Sequence, residues 1–312
     1  MTEGDSLILI TEDENISRFE TSVALGLFDG VHLGHQAVIK EAVKQKADGL
    51  MPTVFSFRTD SVTSKSDNGR IEMLLSDEDK HRHFQELGIE YVYSPEFSDC
   101  RDMTDDEFVQ NVLKEKLNAK FLVCGEDFRF GKNAMGDAYK LKALGEKYGM
   151  EVCVIGQLAV DGQAVSSTQI RQYLKNGEVA KANRMLGYKY GYKLPVEHGF
   201  ERGRTWDFPT INQEIPKWLV LPKFGVYCSK VTIGNQKYSG VTNIGVKPTV
   251  SVETAPLAET YIIGYNGDLY GKEIDLELYE FIRDERKFES FEELKAEIGR
   301  NTEFARKYFD GN

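Results

Sequence analysis

Two histidines stand three residues apart where an apolar run gives way to a helical pattern. His32 and His35 belong to the segment Gly26–His35, which follows a β-type run and precedes a helix with an apolar face. The start of a helix offers free backbone N–H groups and the positive end of the helix dipole, both of which attract anions. Two imidazole donors there, with Gly34 admitting a phosphate to the backbone, predict a site that stabilises charge on a phosphate under attack. The simpler interpretation is a glycine-rich turn with two solvent-facing histidines.

A second helix start, far along the chain, carries hydroxyl and basic groups. Ser167, Thr168 and Arg171 lie in a segment whose polar residues have the spacing of a capping box. Taken alone, this segment is most simply a well-capped helix. Two such helix starts in one domain would hold a triphosphate from opposite sides, and the loop Gly125–Gly131 could shape a nucleotide pocket.

Two polar residues of the second half lie two apart in a segment that reads as extended. Thr210 and Asn212 therefore point to the same face, and a loop containing Gly199 and Gly203 precedes them. Their oxygens could bind a hard cation such as Mg²⁺, which takes the rest of its ligands from water and substrate phosphates. Turn chemistry alone would also explain a Pro-Thr-x-Asn sequence.

The elements that must position these residues differ between the two halves of the chain. In the first half, short β-type runs alternate with helical patterns, which predicts βαβ units and a parallel sheet with ligands at the carboxyl ends of its strands. The predicted strands are Ser22–Leu27, Thr53–Phe57, Tyr91–Ser94, Lys120–Cys124 and Glu151–Ile155. The predicted helices include Gly34–Ala47, Asp77–Leu87, Thr104–Leu117 and Gly136–Tyr148.

After Leu186 the pattern changes to alternating strands separated by tight-turn signals, which predicts an antiparallel sheet or small barrel. The expected hairpins are Val226–Ile233 with Lys237–Asn243 across Gly234-Asn235, and Glu259–Tyr265 with Glu273–Phe281 across a turn that begins at Asn266-Gly267. A helix capped by Ser290 closes the chain. We therefore predict one domain over residues 1–186 and a second over residues 187–312.

Length and charge exclude several classes of protein. A chain of 312 residues exceeds the size at which one hydrophobic core stops growing, so two domains are expected. The net charge of −11 opposes sequence-independent attraction to nucleic acid or an anionic membrane, so any phosphate ligand needs a local site. The four cysteines are far apart, which fits a reducing cytoplasm, and no segment approaches the ~18 apolar residues of a membrane span.

The motifs of the first half resemble a known family. The H-x-G-H and S-S-T-x-x-R pair is similar to the nucleotidylyltransferase superfamily, and the intervening G-E-D-F-R-F-G resembles the FAD synthetase half of the bacterial bifunctional riboflavin kinase/FAD synthetases. The resemblance implies a Rossmann-like domain that transfers AMP from ATP to FMN and releases pyrophosphate, with no covalent enzyme intermediate. The residues that it assigns to catalysis and to ATP or its phosphates are His32, His35, Gly26, Phe28, Asp29, Gly34, Asp127, Ser167, Thr168 and Arg171.

The motifs of the second half follow the order seen in riboflavin kinases. P-T-x-N is followed by G-V-T-N-I-G-V-K-P-T, E-T-Y and F-I-R-D-E-R-K-F. The implied fold is a small antiparallel barrel with a terminal helix. By position, Thr210 and Asn212 bind Mg²⁺, and Asn212 and the glycines of the preceding loop bind ATP phosphates. Glu259 is the general base that takes the proton from the ribityl 5′-hydroxyl of riboflavin, and Arg283 lies near the flavin or nucleotide. Without the resemblance, Glu259 would be a solvent-facing strand residue and Arg283 a surface charge.

The resemblance covers about Val23 to Phe309 with a few departures. The segment Val54–Asp60 lacks the proline and histidine of the T-F-x-P-H-P-like segment that usually ends the second strand, and Ala134 and Ala164 stand where basic residues are common. These changes remove contacts around the adenylyl-transfer site. We therefore expect adenylyl transfer to occur, but more slowly than kinase turnover.

The leading interpretation is a cytoplasmic two-domain enzyme that converts riboflavin to FMN and FMN to FAD, with ATP and Mg²⁺ at both steps. One alternative is a riboflavin kinase with a degenerate transferase domain. Another is a noncatalytic flavin-nucleotide-binding regulator. The intact Thr210, Asn212 and Glu259 argue against the regulator, because binding alone does not require a general base.

Overall fold

The chain divides into two compact units, Met1–Ser167 and Thr168–Asn312. The computed structural model describes residues 7–10, 18–59, 72–197, 209–246 and 256–311. None of the helices in these ranges combines the length and apolar character needed to cross a bilayer.

The first unit is built on a six-stranded, wholly parallel sheet with the strand order β1-β4-β3-β2-β5-β8. Its strands are β1 (Ile8–Ile10), β2 (Thr21–Leu25), β3 (Met51–Phe55), β4 (Tyr91–Tyr93), β5 (Ala119–Gly125) and β8 (Glu151–Ile155). The predicted parallel sheet is confirmed, and each of its five predicted strands is present within two residues at either end. Strand β1 was not predicted, because its three residues are too few to show a period.

The first unit also contains helices and two short two-stranded ribbons, which are separate from the main sheet. The helices are α1 (Leu33–Lys44), α2 (Asp77–Glu86), α3 (Phe97–Arg101), α4 (Asp105–Glu107) and α5 (Ala138–Tyr148). The ribbons pair β6 (Arg129–Phe130) with β7 (Gly136–Asp137), and β9 (Ala159–Val160) with β10 (Gln163–Ala164). The predicted helix Thr104–Leu117 is α4 followed by a π-helical stretch, Phe108–Lys116.

Strand order indicates where the first unit would bind a ligand. Strand β2 lies between β3 and β5, so the loops that follow β2 and β5 leave the sheet at the point where the strand order reverses. In open parallel sheets, ligands bind in the crevice beside such a point, at the carboxyl ends of the strands. All five residues of β2 are buried, which anchors the loop at Gly26 to the centre of the sheet.

The second unit is a nearly closed antiparallel barrel with the strand order β11-β16-β13-β14-β15-β12. Its strands are β11 (Gly191–Pro195), β12 (Thr210–Glu214), β13 (Gly225–Ile233), β14 (Gln236–Val246), β15 (Pro256–Ile262) and β16 (Glu273–Arg283). The buried amide of Gln213 donates to the carbonyls of Leu194 and Ile274, at 2.8 Å each, and joins β12 to the other edge of the sheet. The expected barrel is confirmed.

The terminal helix α8 (Phe291–Asp310) begins at Ser290, whose hydroxyl accepts a hydrogen bond from the Glu293 backbone. It packs on the outer face of the barrel, where Ala305 joins a cluster with Val226, Cys228 and Val241.

One expected hairpin is wrong. Strands β13 and β14 pair as predicted, but β15 pairs with β12 and β14, and β16 pairs with β11 and β13. The segment from Ile263 to Lys272 is therefore a ten-residue crossover, not a tight turn begun by Asn266-Gly267. The turns of this segment are at Ile263-Gly264 and Tyr270-Gly271, on either side of Asn266-Gly267. An Asn-Gly pair is only a local signal, whereas strand pairing is decided by which apolar faces close the barrel.

Two helices, α6 (Ser167–Lys175) and α7 (Val179–Leu186), precede the barrel strands. The buried side chain of Asn183, on α7, donates to the Leu278 carbonyl at 2.9 Å and accepts from the Tyr190 backbone at 2.7 Å. Helix α7 is thus attached to strand β16 and belongs to the second compact unit. The domain boundary predicted between Leu186 and Gly187 falls at the end of α7 and stays a prediction.

Candidate active sites

The two histidines of the first unit meet at the N-terminus of α1. His32 is the N-cap residue, and its Nδ1 accepts a hydrogen bond from the His35 backbone at 3.2 Å. The two rings stack, with centroids 3.6 Å apart and an interplanar angle of 14°. Because Nδ1 of His32 is an acceptor, the proton of the neutral ring is assigned to Nε2, which is left as a hydrogen-bond donor.

Both imidazoles are uncharged at neutral pH. Burial lowers the pKa of His32 to about 4, although a backbone hydrogen bond and the negative charge of Asp127 act in the opposite direction. Burial also lowers the pKa of His35 well below its usual value, and the nearby His32 and Lys80 lower it further. The buried Nδ1 of His35 has no hydrogen-bond partner among the described residues. The pair can therefore donate hydrogen bonds to a phosphate, but it adds no full positive charge.

The loop between β2 and α1 is held in an unfavourable backbone conformation. Phe28 and Val31 both have positive φ angles, 51° and 35°, and both are buried. Such angles are costly for a bulky or β-branched residue and persist where the surrounding structure imposes them, which is characteristic of functional sites.

Two glycines of this loop make room for neighbouring side chains. A Cβ added at Gly26 would lie 3.1 Å from the ring of Phe28, and one added at Gly34 would lie 3.2 Å from the ring of His32. Gly34 was predicted to admit a phosphate to the backbone. The structure adds that its missing side chain leaves space for the capping imidazole.

Asp29 connects this loop to two other segments. Its buried carboxylate accepts a hydrogen bond from the Leu74 backbone at 2.8 Å, and its carbonyl accepts one from the Ser167 hydroxyl at 2.8 Å. The structure thus brings Ser167, the first residue of α6, to the histidine loop. Thr168 and Arg171 follow on the same helix, and their predicted phosphate contacts remain untested.

Asp127 lies in the loop after β5, on the other side of the strand-order reversal. Its side chain is exposed, and its charge acts on His32, so the two predicted site residues are neighbours. Ala134 and Ala164, the positions of the absent basic residues, are both exposed.

The candidate site of the second unit is a row of polar residues across three neighbouring strands. Glu259 on β15 is directly opposite Asn212 on β12 and Asn243 on β14. Residues paired in this way point to one face, with Cβ atoms about 4.5–5.5 Å apart. Asn212 is buried and Glu259 is exposed, so the carboxylate reaches solvent while the amide is held in the sheet.

Two further observations concern Thr210, next to this row on β12, and Asn243, at its end on β14. Thr210, half-buried, lies two residues before Asn212 on the same face of β12, as predicted. The Asn243 amide donates to Glu285 at 3.1 Å. The motif G-V-T-N-I-G-V-K-P-T contains Asn243 but predicts no role for it, because its position beside Glu259 depends on strand register. Gly199 and Gly203 lie outside the described residues.

Oxygen donors at this row fit magnesium. Within the described ranges, no group of three or more His, Cys, Asp or Glu side chains could hold a metal ion. The Thr210 hydroxyl and the Asn212 amide oxygen are the hard, neutral ligands that Mg²⁺ accepts when substrate phosphates complete its coordination.

Arg283, at the end of β16, is held by the terminal helix. Its Nε lies 3.0 Å from a carboxylate oxygen of Glu297, and its Nη1 donates to the Asp284 carbonyl at 2.9 Å. Arg286 and Arg300 bind the same carboxylate. Burial raises the pKa of Glu297, but the hydrogen bond from Arg300 and the charges of the three arginines outweigh it and lower the pKa overall. The predicted contact of Arg283 with the flavin remains untested.

Comparison with known proteins covers both units. Residues 15–169 match the family model described as FAD synthetase, and residues 186–309 match the one described as riboflavin kinase. The chain is 35% identical over 291 residues to the bifunctional riboflavin kinase/FMN adenylyltransferase of Listeria monocytogenes, with 92% of each chain covered. It is 36% identical over 295 residues to the protein of that name from Bacillus subtilis, again covering 92% of each.

A solved structure has the same fold over nearly the whole length. The crystal structure titled a macrolide-efflux protein, from Streptococcus pneumoniae, superposes with a TM-score of 0.84 at 29% identity and covers 96% of this chain and 98% of its own. The curated relatives match at higher identity and in both halves. The chain therefore belongs to the family of bifunctional riboflavin kinase/FMN adenylyltransferases.

Proposed function

We propose that this chain is a bifunctional transferase that phosphorylates riboflavin to FMN in the unit Thr168–Asn312 and adenylylates FMN to FAD in the unit Met1–Ser167. The observation that carries the proposal is the presence of two separate sites, each with the groups that its reaction requires. One is the row formed by Asn212, Glu259 and Asn243. The other is the histidine pair at the N-terminus of α1.

In the kinase reaction, Glu259 accepts the proton of the ribityl 5′-hydroxyl as its oxygen attacks the γ-phosphorus of ATP. The bond to the bridging oxygen breaks, and ADP leaves with the bonding electrons. The transition state is loose, so the protein mainly orients the nucleophile and accepts a proton. Asn212 and Thr210 would hold Mg²⁺, which neutralises charge on the phosphates. Asn212 is directly opposite Glu259 in the pairing of β12 with β15, which supports a base and a metal ligand on one face of the sheet.

In the adenylyl-transfer reaction, a phosphate oxygen of FMN attacks the α-phosphorus of ATP, and pyrophosphate leaves with the electrons of the broken bond. Negative charge grows on the pyrophosphate in this step. Nε2–H of His32 and the free backbone N–H groups at the start of α1 would stabilise that charge, and the N-cap position of His32 supports this role. Neutral imidazoles suit this role because they donate hydrogen bonds without exchanging a proton at pH 7.

The substrates implied are riboflavin, FMN and ATP, with Mg²⁺ as the metal. Because both proposed reactions consume ATP, a cytoplasmic location is part of the proposal. The chain's net charge of −11 supports small-molecule substrates over nucleic acid or membrane partners.

Product analysis tests the proposal. Purified protein incubated with riboflavin, ATP and Mg²⁺ should yield FMN first, then FAD and pyrophosphate. FMN alone would favour the kinase with a degenerate transferase unit. Neither product, from a protein that binds riboflavin and, in a separate titration, FMN, would favour the noncatalytic regulator.

A further inference from the structure

A lysine is fully buried in the unit that carries the two histidines. Lys80, in the first half of α2, is 1% exposed. Lysine is almost never buried to this degree unless its charge is paired. Its ammonium lies 2.8 Å from the carboxylate of Asp77, the one ion-pair partner found for it in the described part of the chain.

Asp77 is shared with a second partner. The backbone and hydroxyl of Thr59 both donate to the same carboxylate. Burial raises the pKa of Asp77, but the charge of Lys80 and the hydrogen bonds from Lys80 and Thr59 hold it below its usual value. The Asp77 side chain is also 35% exposed, so water reduces its effect on Lys80. Thr59 belongs to the segment that replaces the family's Pro-His sequence.

The face of α2 that carries Lys80 packs against the histidine loop. Phe84, one turn beyond Lys80 and also fully buried, meets the ring of Phe28 edge-on at 5.6 Å. Phe28 in turn meets the ring of His35 edge-on at 5.3 Å. The backbone just before α2 is held to the same loop by the bond from Leu74 to Asp29. The Lys80 ammonium is close enough to His35 to act on its charge.

We propose that Lys80 is a positioning residue for adenylyl transfer, whose buried ammonium, held by Asp77, provides a fixed positive charge behind His35 and the β2–α1 loop. The proposal rests on the adenylyl transfer assigned above to this unit. The need for such a charge follows from the site itself. Both histidines are neutral, and the positions where basic residues are common carry Ala134 and Ala164.

A fixed cation in a partly water-excluded site acts most strongly on the charge that grows during reaction. In this reaction that charge is on pyrophosphate, which is part of ATP, and FMN contributes only the attacking oxygen. Loss of the ammonium should therefore lower kcat and kcat/KM for ATP and leave the binding of FMN unchanged.

The test replaces Lys80 by Met, which keeps the length of the side chain and removes the charge, and by Arg, which keeps the charge. In Lys80→Met, kcat/KM for ATP in FAD formation should fall at least ~10-fold while KM for FMN stays within ~2-fold. Lys80→Arg should recover most of the loss. FMN formation from riboflavin, catalysed by the other unit, should be unchanged in both. Lys147→Met is the matched control, because it removes a lysine that forms an exposed ion pair with Asp106 at 2.6 Å.

The result that overturns the proposal is wild-type ATP use by Lys80→Met. Equal losses in Lys80→Met and Lys80→Arg, with KM for FMN raised and the melting temperature lowered, would also overturn it in favour of a packing role. Wild-type protein that forms FMN but no FAD would instead overturn the transferase function itself, and the Lys80 proposal with it.

Discussion

At the scale of single residues, His32 caps a helix and, in the proposed mechanism, also contacts a phosphate. Its Nδ1 caps α1, and that bond leaves Nε2 as the donor for a phosphate. The two functions can be separated, because asparagine is also a good N-cap residue but cannot place a donor where the imidazole does.

His32→Asn and His32→Ala should both lower the rate of FAD formation, by the ~10²–10³ that loss of one transition-state donor costs. Only His32→Ala should also lose helix stability, by about 1 kcal/mol. Initial rates with FMN and ATP, together with thermal melting, measure the two effects. Wild-type FAD formation by His32→Asn would mean that His32 is only a cap.

The lowered pKa of His32 predicts a pH dependence of stability. The folded state holds the neutral ring down to about pH 4, whereas the unfolded chain binds a proton near pH 6.5. The unfolded state therefore gains protons first, and the free energy of unfolding falls as pH drops below about 6.5. At pH 5, His32 lowers the free energy of unfolding by about 2 kcal/mol relative to pH 7, above which this destabilisation vanishes. Denaturant unfolding of the wild type and His32→Asn at pH 5 and 7.5 measures the difference, and equal pH dependence would contradict it.

Glu259 is exposed in the middle of a strand, a position that usually tolerates substitution. Glu259→Gln keeps the shape of the side chain and removes the base, so FMN formation should fall by ~10²–10⁴. The matched control is Glu273→Gln, another exposed strand carboxylate of the same barrel, which forms a surface pair with Lys193. FAD formation from added FMN should be normal in both variants. Wild-type kinase turnover in Glu259→Gln, with an unchanged circular dichroism spectrum, would refute the base assignment.

At the scale of elements, the sequence predicts what is local and periodic. The parallel strands and their helices repeat a clear alternation, and the H-x-G-H segment lies where a strand meets a helix. The partners of β15 and β16 could not be predicted, because strand pairing depends on how the barrel closes. Lys80 was missed for a related reason. A lysine inside a charged helical stretch reads as exposed, whereas in the structure Lys80 is buried on a helix whose Phe84 meets Phe28 of the histidine loop.

The stability of a separate kinase fragment should depend on whether it includes helices α6 and α7. Removing α7 would leave the Leu278 carbonyl and the Tyr190 amide without their partner Asn183, and each buried unsatisfied group costs about 1–3 kcal/mol. We therefore expect the fragment Thr168–Asn312 to fold and phosphorylate riboflavin. The fragment Gly187–Asn312 is long enough to hold a core, but it should unfold at a lower denaturant concentration. Equal stability of the two fragments would show that α7 is dispensable.

At the scale of the whole molecule, two reactions that share FMN are carried by two compact units of one chain. The histidine pair lies within Met1–Ser167, and the row of Asn212, Glu259 and Asn243 lies within Thr168–Asn312. Two single-site variants should therefore complement each other. Glu259→Gln alone should form FAD from FMN but not from riboflavin, and His32→Asn alone should stop at FMN.

Mixing the two variants with riboflavin, ATP and Mg²⁺ should restore FAD formation, because FMN released by one chain can be adenylylated by another. FAD should appear after a lag while free FMN accumulates. In wild type, FMN should also accumulate before FAD, because we expect the transferase site, with Ala134 and Ala164 in place of basic residues, to be the slower one. A time course of riboflavin, FMN and FAD measures this directly. Restored FAD with no free FMN at any time would show direct transfer between sites and contradict the independence of the two units, and a mixture that forms no FAD would contradict it as well.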